Sequence, residues 1–259
     1  MMSGIIISRE GSAQVLRFDR VAKKNALTGE MYTALADALE RGDADDTVAC
    51  HVILGQDGVF TAGNDISEFA ASAMGDGATL KAVLRYIQLL PRVKKPMVAG
   101  VQGLAVGIGT TLLLHCDIVL ASEDAQFRTP FLDLGLVPEA GSSLLVPARM
   151  GYQRAFEMLV LGAPFSAERM REAGLVNAIV PAADLEARVM GIAQALAAKP
   201  PKALAEARRL MRGNVEELAT VVDEEARVFS ALLRSPEARE AFQAFFEKRR
   251  PDFAKFRGS

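Results

Sequence analysis

The sequence predicts an α/β fold whose core is a largely parallel sheet, followed by a helical C-terminal region. Up to about residue 180, short aliphatic runs alternate with segments of helical periodicity, and this alternation is typical of parallel sheets. From about residue 184 onward, only helical segments follow. The chain has 259 residues, half of them hydrophobic, so it can bury a full core.

Strand and helix signals alternate in the first part of the chain. Residues 5–8 and 13–19 flank the turn signal Glu10-Gly11-Ser12 and predict an antiparallel hairpin. Thr28 is the predicted N-cap of the first helix. A second helix is predicted over 107–116, beginning at a glycine-rich turn. Four further strands are predicted over 48–54, 97–101, 117–121 and 175–180.

The C-terminal part of the sequence predicts helices alone. They span residues 184–198, 201–213, 215–234 and 236–249. The third helix carries a wide apolar stripe, which needs a partner surface. Its members are Leu218, Val221, Val222, Ala226, Phe229 and Leu233. The sequence leaves open whether the stripe packs on the core of the same chain or on another subunit.

Charge and cysteine content restrict the partners and the compartment. Thirty Lys and Arg oppose thirty-two Asp and Glu, and a net charge of −2 gives no general attraction to nucleic acid or to anionic membranes. Cys50 and Cys116 lie in apolar runs without metal-ligand spacing, which predicts buried free thiols in a reducing compartment. The sequence shows no signal peptide, no membrane-spanning segment and no peroxisomal tripeptide, so we expect a cytoplasmic protein.

Several catalytic motifs are absent from the sequence. It contains no GxxxxGK[ST] phosphate loop, no GxSxG nucleophile elbow and no HExxH ligand pair. His51 falls in a predicted strand and His115 in an apolar helix, and both are interpreted as packing residues. The sequence therefore predicts neither a Ser-His triad nor a metal site.

Two glycine-containing loops follow two of the predicted strands. The segment 55–66 follows the strand 48–54, and the segment 103–109 follows the strand 97–101. If these strands are neighbours in a parallel sheet, both loops emerge at the same edge, where α/β folds place ligands. Backbone N–H groups from both loops could then stabilise one enolate oxygen. Taken alone, the second segment is better explained as a tight strand-to-helix turn, because Leu112 replaces the third glycine of a dinucleotide fingerprint.

The two loops belong to a longer ordered set of motifs. The set comprises Phe60–Ile66, Gly103–Gly109, Cys116–Ala121, Ala125–Phe127, and Leu134–Pro138 followed by Gly141. Its order and spacing resemble the crotonase (enoyl-CoA hydratase/isomerase) superfamily over roughly residues 10–250. The resemblance implies a spiral of ββα units in residues 1–195, which hold the coenzyme A and acyl site. It also implies a helical trimerisation region in residues 196–259, and a homo-oligomer that is a trimer or a dimer of trimers.

The resemblance also implies a substrate site. Coenzyme A thioesters are the expected substrates, so no separate cofactor is expected. The two oxyanion-hole N–H donors are assigned to Ala62 and Ile108, and the adenine end would lie near the first loop and the segment 24–27. The implied substrate-binding residues are Lys24, Ala26, Gly63, Asn64, Asp65, Ile66, Gly107, Phe131, Leu134 and Leu136.

The carboxylate pattern indicates which reaction the site supports. Hydratases of this superfamily use two glutamates, and the matching positions here are Thr111 and Phe131, neither of which can act as a base. Glu139 instead follows the acyl-pocket segment, together with Thr-Pro-Phe at 129–131, as in peroxisomal-type Δ3,Δ2-enoyl-CoA isomerases. We therefore expect Glu139 to move a proton from C2 to C4 of a 3-enoyl thioester. Its apolar neighbours should raise its pKa.

Several alternatives stay open at this point. Glu139 could instead be a helix-start residue, with Asp133 as the substitute base. Asp65, Glu68 and Asp133 itself are interpreted as loop-structuring, ligand-contacting or solvated acids. The chain could be a hydratase or another enolate-forming enzyme of the same superfamily, or a noncatalytic acyl-CoA-binding or scaffold subunit. The walls of the acyl pocket are expected from residues 68–90 and 131–147.

Overall fold

Strands in the described part of the chain form two sheets. The structure, a computed structural model, describes residues 4–56, 58–74 and 77–257. The strands are β1 (Ile5–Glu10), β2 (Ala13–Phe18), β3 (Cys50–Leu54), β4 (Met97–Val101), β5 (Leu104–Val106), β6 (Ile118–Ser122), β7 (Gln126–Arg128), β8 (Phe165–Ser166) and β9 (Ala178–Val180). Six of them form a main sheet in the order β1-β2-β3-β4-β6-β9, and β5-β7-β8 form a smaller one.

The helices surround these sheets. They are α1 (Gly29–Ala44), α2 (Ile66–Met74), α3 (Ala78–Leu89), α4 (Ile108–Thr111), α5 (Ser142–Met150), α6 (Tyr152–Leu159), α7 (Ala167–Glu172), α8 (Leu185–Ala197), α9 (Pro201–Arg212), α10 (Val215–Leu232) and α11 (Pro236–Phe246). A strand of the main sheet, a strand of the small sheet and a helix follow one another twice, as β4-β5-α4 and as β6-β7-α5. These repeats are the ββα units that the sequence predicted.

The register of the main sheet explains how its first strands join. β1 and β2 form the predicted antiparallel hairpin, in which Glu10 pairs with Ala13 across a turn at Gly11, whose φ is +60°. From β2 onward all the pairings in this sheet are parallel. β3 and β4 are direct neighbours, with Ile53 opposite Ala99. The loops that follow these two strands therefore leave the sheet at the same edge.

The predicted helix over 107–116 is present only in part. The α-helical portion is α4, and residues 112–115 continue as a tighter 3₁₀ turn. Cys116 is then extended and leads into β6, so the chain has room for only about two turns before it must rejoin the sheet. The first helix agrees with its prediction, because the Thr28 hydroxyl accepts the Met31 N–H at 3.3 Å.

The C-terminal helices pack on the same chain. α8 covers one face of the main sheet, where Val189 contacts the cluster of Val52 and Val98. Four members of the predicted stripe, Val222, Ala226, Phe229 and Leu233, join the other core, and the Phe229 ring lies 5.9 Å from that of Phe69 on α2. The sequence left open whether this stripe packs on the same chain or on another subunit. For these four residues, the partner surface is the core of the same chain. The division into residues 1–195 and 196–259 stays a prediction.

Two further observations concern the sequence predictions on cysteines and membranes. Cys50 and Cys116 are both buried and free of disulfide bonds, as predicted. Among the described residues, no helix combines the length and the apolar character needed to cross a membrane.

Candidate active site

The two glycine-containing loops lie side by side. The Thr61 N–H donates to Leu104 O at 2.9 Å, and the Val106 N–H donates to Thr61 O at 3.0 Å, so the two loops are joined by a parallel bridge. Gly63 permits this contact, since its φ is +84° and a Cβ there would lie 2.8 Å from Val106 O. The predicted convergence of the loops is therefore confirmed.

A cavity opens between the two loops. Its lining comprises Tyr32, Ala62, Gly63, Asn64, Ile66, Phe69, Val83, Leu84, Ile87, Val106, Gly107, Ile108, Pro130, Phe131, Leu134, Leu136, Glu139 and Phe229. Every predicted site residue except Lys24, Ala26 and Asp65 is in this set. Glu139 is the only ionisable carboxyl group among these lining residues. The structure thus brings together parts of the chain that are far apart in the sequence.

The backbone hydrogen bonds of the first loop contradict one of the two predicted oxyanion donors. Within residues 62–65 of this loop, three N–H groups are used inside the protein: Ala62 donates to Lys24 O (2.9 Å), Gly63 to Thr61 Oγ1 (3.1 Å) and Asp65 to Leu27 O (2.9 Å). The Ala62 N–H is therefore not free for a ligand, and its assignment as a donor is wrong. Lys24 and Asn25 have φ of 50° and 55°, and this left-handed turn directs the Lys24 carbonyl at Ala62. The remaining N–H of these four residues, that of Asn64, meets no acceptor within the described part of the chain, so the loop can offer it to a ligand.

The second loop presents the N–H of Ile108. Gly107 has φ +56° and ψ −120°, a conformation suited to glycine, and precedes the first residue of α4. The Gly107 carbonyl accepts the N–H groups of Thr110 and Thr111 at 2.8 and 3.0 Å. The Ile108 N–H, at the start of the helix, has no intrahelical acceptor. Ile108 and Asn64 both line the cavity.

Glu139 is a buried carboxyl group at this cavity. Only 5% of its surface is exposed, and the Thr111 hydroxyl donates to its Oε1. Its Oε2 has no hydrogen-bond partner among the described residues. Burial raises the pKa of Glu139 to about 8, opposed by the Thr111 hydrogen bond and assisted by the charge of Glu225. The predicted rise in its pKa is confirmed.

The helix-start interpretation of Glu139 does not agree with the structure. α5 begins after Gly141, and the carboxylate at its start belongs to Glu225 of α10, which accepts the Gly141 N–H at 2.6 Å. The Glu139 carboxyl group instead faces Thr111 and the cavity. Of the two residues at the hydratase carboxylate positions, Thr111 thus donates to Glu139, and Phe131 lines the same cavity as Glu139.

The other acids have structural roles outside the cavity lining. Asp65 accepts the Ser67 N–H at 3.1 Å, at the start of α2, and pairs with Arg20 at 2.8 Å. Glu68 accepts the Gly29 N–H at 2.9 Å, at the start of α1. These contacts agree with the loop-structuring interpretation of both residues, and contact of Asp65 with the substrate stays a prediction. Asp133, the suggested substitute base, pairs on the surface with Arg128 at 3.0 Å.

Lys24 and Ala26 lie beside the first loop rather than in the cavity. Between them, Asn25 is fully buried, and its Nδ2 donates to Val59 O at 2.8 Å. The Thr61 hydroxyl donates to Asn25 O at 2.6 Å. This segment therefore supports the first loop from outside, and contact of Lys24 and Ala26 with coenzyme A stays a prediction.

Part of the cavity wall was not expected from the sequence. Phe69, Val83, Leu84 and Ile87 lie in the predicted segment 68–90. Tyr32 and Phe229 were missed, because each lies on a helix face that reads as ordinary core packing. The Tyr32 hydroxyl donates to Asn64 Oδ1, so α1 contacts the residue that offers the first N–H donor. A polar hydroxyl on an otherwise apolar helix face was the one sequence signal for this contact.

The fold and the cavity are those of the enoyl-CoA hydratase/isomerase class of enzymes. Residues 8–256 match the family model for enoyl-CoA hydratase/isomerase, and the chain belongs to this family. The crotonase-type fold predicted from the sequence is thereby confirmed.

Individual relatives come from several branches of this family. The chain is 36% identical to rat (Rattus norvegicus) enoyl-CoA delta isomerase 2 over 251 residues, which are 95% of this chain but only 64% of the rat protein. It is 32% identical to 2,3-dehydroadipyl-CoA hydratase of Escherichia coli K12, over 97% of this chain and 99% of that protein. A crystal structure of an enoyl-CoA hydratase/isomerase from Pseudoalteromonas atlantica T6c matches with a TM-score of 0.90 and 38% identity. That match covers 96% of this chain and 99% of the other.

Proposed function

We propose that the protein is a Δ3,Δ2-enoyl-CoA isomerase, which converts a 3-enoyl-CoA into the conjugated 2-enoyl-CoA. The observation that carries the proposal is the single carboxyl group among the described lining residues of the cavity. Glu139 stands there alone, with Thr111 and Phe131 where hydratases of the family carry their two glutamates. The rat relative that the chain resembles is named an enoyl-CoA delta isomerase.

The two free N–H groups account for the enolate. In the proposed complex, the thioester oxygen accepts hydrogen bonds from the N–H groups of Asn64 and Ile108. These donors bind the oxygen more strongly as it gains negative charge, and they lower the barrier to removal of the C2 proton. The intermediate is a dienolate with its charge spread over the thioester oxygen, C2 and C4.

Glu139 serves as the one base that this reaction needs. The ionised carboxylate takes the C2 proton on Oε2, which has no partner in the described protein, while Thr111 holds Oε1. The same oxygen then returns the proton to C4, and the double bond moves from C3–C4 to C2–C3. Because burial raises the pKa of Glu139 to about 8, a removed proton is held firmly enough for this transfer.

The alternatives are a hydratase and a noncatalytic acyl-CoA-binding subunit. A hydratase must hold and activate a water molecule, and the lining offers one carboxyl group with apolar neighbours for that task. In a noncatalytic subunit, the buried Oε2 of Glu139 would have no function. Because an unpaired buried polar atom destabilises the fold, the atom would then only lower the stability of the protein. An isomerase needs one carboxylate and uses the unpaired Oε2 as its base. Isomerisation therefore explains both the single carboxyl group and the unpaired oxygen.

The proposal extends to coenzyme A and to assembly. Lys24 and Ala26, next to the first loop, are proposed to contact the adenine end of the substrate. Several large apolar side chains are exposed on α6, on the segment after it and on α9, namely Tyr152, Phe156, Leu161, Leu210 and Met211. The exposure of these apolar side chains supports assembly into a homotrimer or a dimer of trimers, in which they would be buried. Sedimentation velocity distinguishes these assemblies from a monomer.

A first experiment tests the reaction through Glu139. Purified protein is expected to convert 3-enoyl-CoA thioesters into 2-enoyl-CoA, followed by the absorbance of the conjugated thioester. Glu139→Gln should lower kcat about 10²–10⁴-fold, because the variant lacks the base, while it still binds acyl-CoA.

Asp133→Asn is the control, since it removes a surface acid outside the cavity and should leave the rate unchanged. Full activity of Glu139→Gln would exclude the proposed mechanism. Formation of a 3-hydroxyacyl-CoA from a 2-enoyl-CoA, detected by mass spectrometry without double-bond migration, would favour the hydratase. Binding without turnover would favour the noncatalytic alternative.

A further inference from the structure

A second buried glutamate holds the turn that carries Glu139. Glu225, on α10, is 7% exposed and accepts three hydrogen bonds. The donors are the Gly141 N–H (2.6 Å), the Ser143 N–H (2.8 Å) and the Ser143 hydroxyl (2.5 Å). Its carboxyl group therefore binds the chain two to four residues after the proposed base.

The conformation of this turn explains why it needs an external restraint. Ala140 and Gly141 both lie in the left-handed region, with φ of 57° and 75°. An alanine adopts this conformation only where neighbouring groups hold it there. Glu225 holds one side of the turn, and His115 Nε2 lies 2.7 Å from Ala140 O on the other side. The position of Glu139 depends on both contacts.

Glu225 also differs in charge from the other groups around Glu139. The Thr111 hydroxyl from α4 donates to Glu139. Burial raises the pKa of Tyr32 on α1 and of Tyr86 on α3, and the charge of Glu139 adds to both rises. Burial lowers the pKa of His115 to about 3, so the imidazole behind Ala140 is neutral. Burial raises the pKa of Glu225, and the three hydrogen bonds that it accepts oppose this rise because they favour a carboxylate. A negative charge at Glu225 makes ionisation of Glu139 harder.

We propose that Glu225 is a positioning residue for the isomerisation proposed above: it fixes the Ala140–Gly141 turn, and its negative charge acts on the Glu139 carboxyl group. The C-terminal helix α10 thereby contributes to catalysis without touching the reacting atoms. This inference rests on the proposed function for its kinetic consequences, whereas its electrostatic part concerns the protein alone.

The kinetic test compares Glu225→Gln with two matched variants. Glu225→Gln keeps the size of the side chain and removes its charge, so Glu139 should ionise more readily. The acidic limb of the kcat/KM profile, which reports ionisation of the free base, should then move to lower pH. The limiting kcat should fall roughly tenfold as the turn loosens, with little change in KM.

Each matched variant isolates one part of the effect. Ser143→Ala removes one hydrogen bond and keeps the charge of Glu225, so its acidic limb should stay at the wild-type pH. Glu224→Gln removes an exposed carboxylate that pairs with Arg227 on the same helix, and it should behave as the wild type. An unshifted limb in Glu225→Gln overturns the proposal, and so does an equal shift in Ser143→Ala.

A spectroscopic test separates this inference from the proposed function. Infrared difference spectra across pH, assigned by subtraction of Glu139→Gln, report the protonated Glu139 carboxyl group directly. Absence of isomerase activity in the wild type would refute the proposed function alone. The inference is overturned if Glu139 ionises at the same pH in the wild type and in Glu225→Gln. If Glu225→Gln does not fold, Glu225→Met takes its place, since it also removes the charge from a side chain of similar size: the same acidic shift is expected, and no shift overturns the proposal.

Discussion

The Glu139 carboxyl group lies where few protein atoms can stabilise its charge. One oxygen accepts the Thr111 hydroxyl and the other has no partner in the described residues. Burial consequently favours the protonated form and raises the pKa to about 8. The ionised form of such a carboxyl group is a minor fraction at neutral pH. Each ionised Glu139 nevertheless removes a proton more effectively than an exposed glutamate does.

The same residue predicts a pH dependence of stability. Glu139 ionises near 4.5 in the unfolded chain and near 8 in the folded one, so between these values the folded state binds more protons. The free energy of unfolding should therefore fall as pH rises through this window, by roughly 2–5 kcal/mol for this group. Urea denaturation measures the effect: Glu139→Gln should become more stable than the wild type at alkaline pH. A difference between the two proteins that is independent of pH would contradict the expected burial of the charge.

The contact between the two loops depends on a position that accepts only glycine. A side chain at Gly63 would meet Val106 O at 2.8 Å, in a backbone conformation that alanine avoids. Gly63→Ala should push the loops apart and separate the N–H groups of Asn64 and Ile108. We expect kcat to fall roughly 10²-fold, as when one oxyanion donor is lost.

Gly174→Ala is the control for this variant. Gly174 has φ of +76°, but no atom lies within 4 Å of a Cβ there, so the substitution adds backbone strain without a clash. It should lower the melting temperature and leave kcat unchanged. Equal losses of kcat in both variants would show that general destabilisation, rather than the separation of the loops, is responsible.

At the level of the elements, the sequence predicted order and neighbours better than individual donors. Hydrophobic runs and turn residues identified β3, β4 and the loops after them, because buried parallel strands have a strong local signal. The donor in the first loop was placed at Ala62 instead of Asn64, because the Lys24 carbonyl that occupies the Ala62 N–H comes from a separate turn. Phe229 was recognised as apolar, but its place in the cavity wall depends on how α10 folds back over the core.

At the scale of the whole molecule, the cavity is a joint product of the core and the C-terminal helices. α1, α2, α3 and α10 all contribute side chains to its wall, and α10 also holds the turn of Glu139 through Glu225. A change in the C-terminal helices is therefore transmitted to both the acyl pocket and the proposed base. The C-terminal helices can both form an oligomer, as the resemblance implies, and shape the cavity. The exposed apolar side chains belong to one surface of this region, and the buried face of α10 to another.

The composition of the whole wall predicts which acyl groups the enzyme accepts. No Lys, Arg or His is found among the described lining residues, and their one ionisable carboxyl group is Glu139. A second carboxylate, at the end of an acyl chain, would enter this wall without a cation and beside a like charge, which is unfavourable by several kcal/mol. We therefore expect a 3-enoyl-CoA with a terminal carboxylate to show kcat/KM at least about 10²-fold lower than an unsubstituted 3-enoyl-CoA of equal length. Paired measurements on the two thioesters test this selectivity. Equal values would show that the acyl terminus extends beyond the apolar wall into solvent.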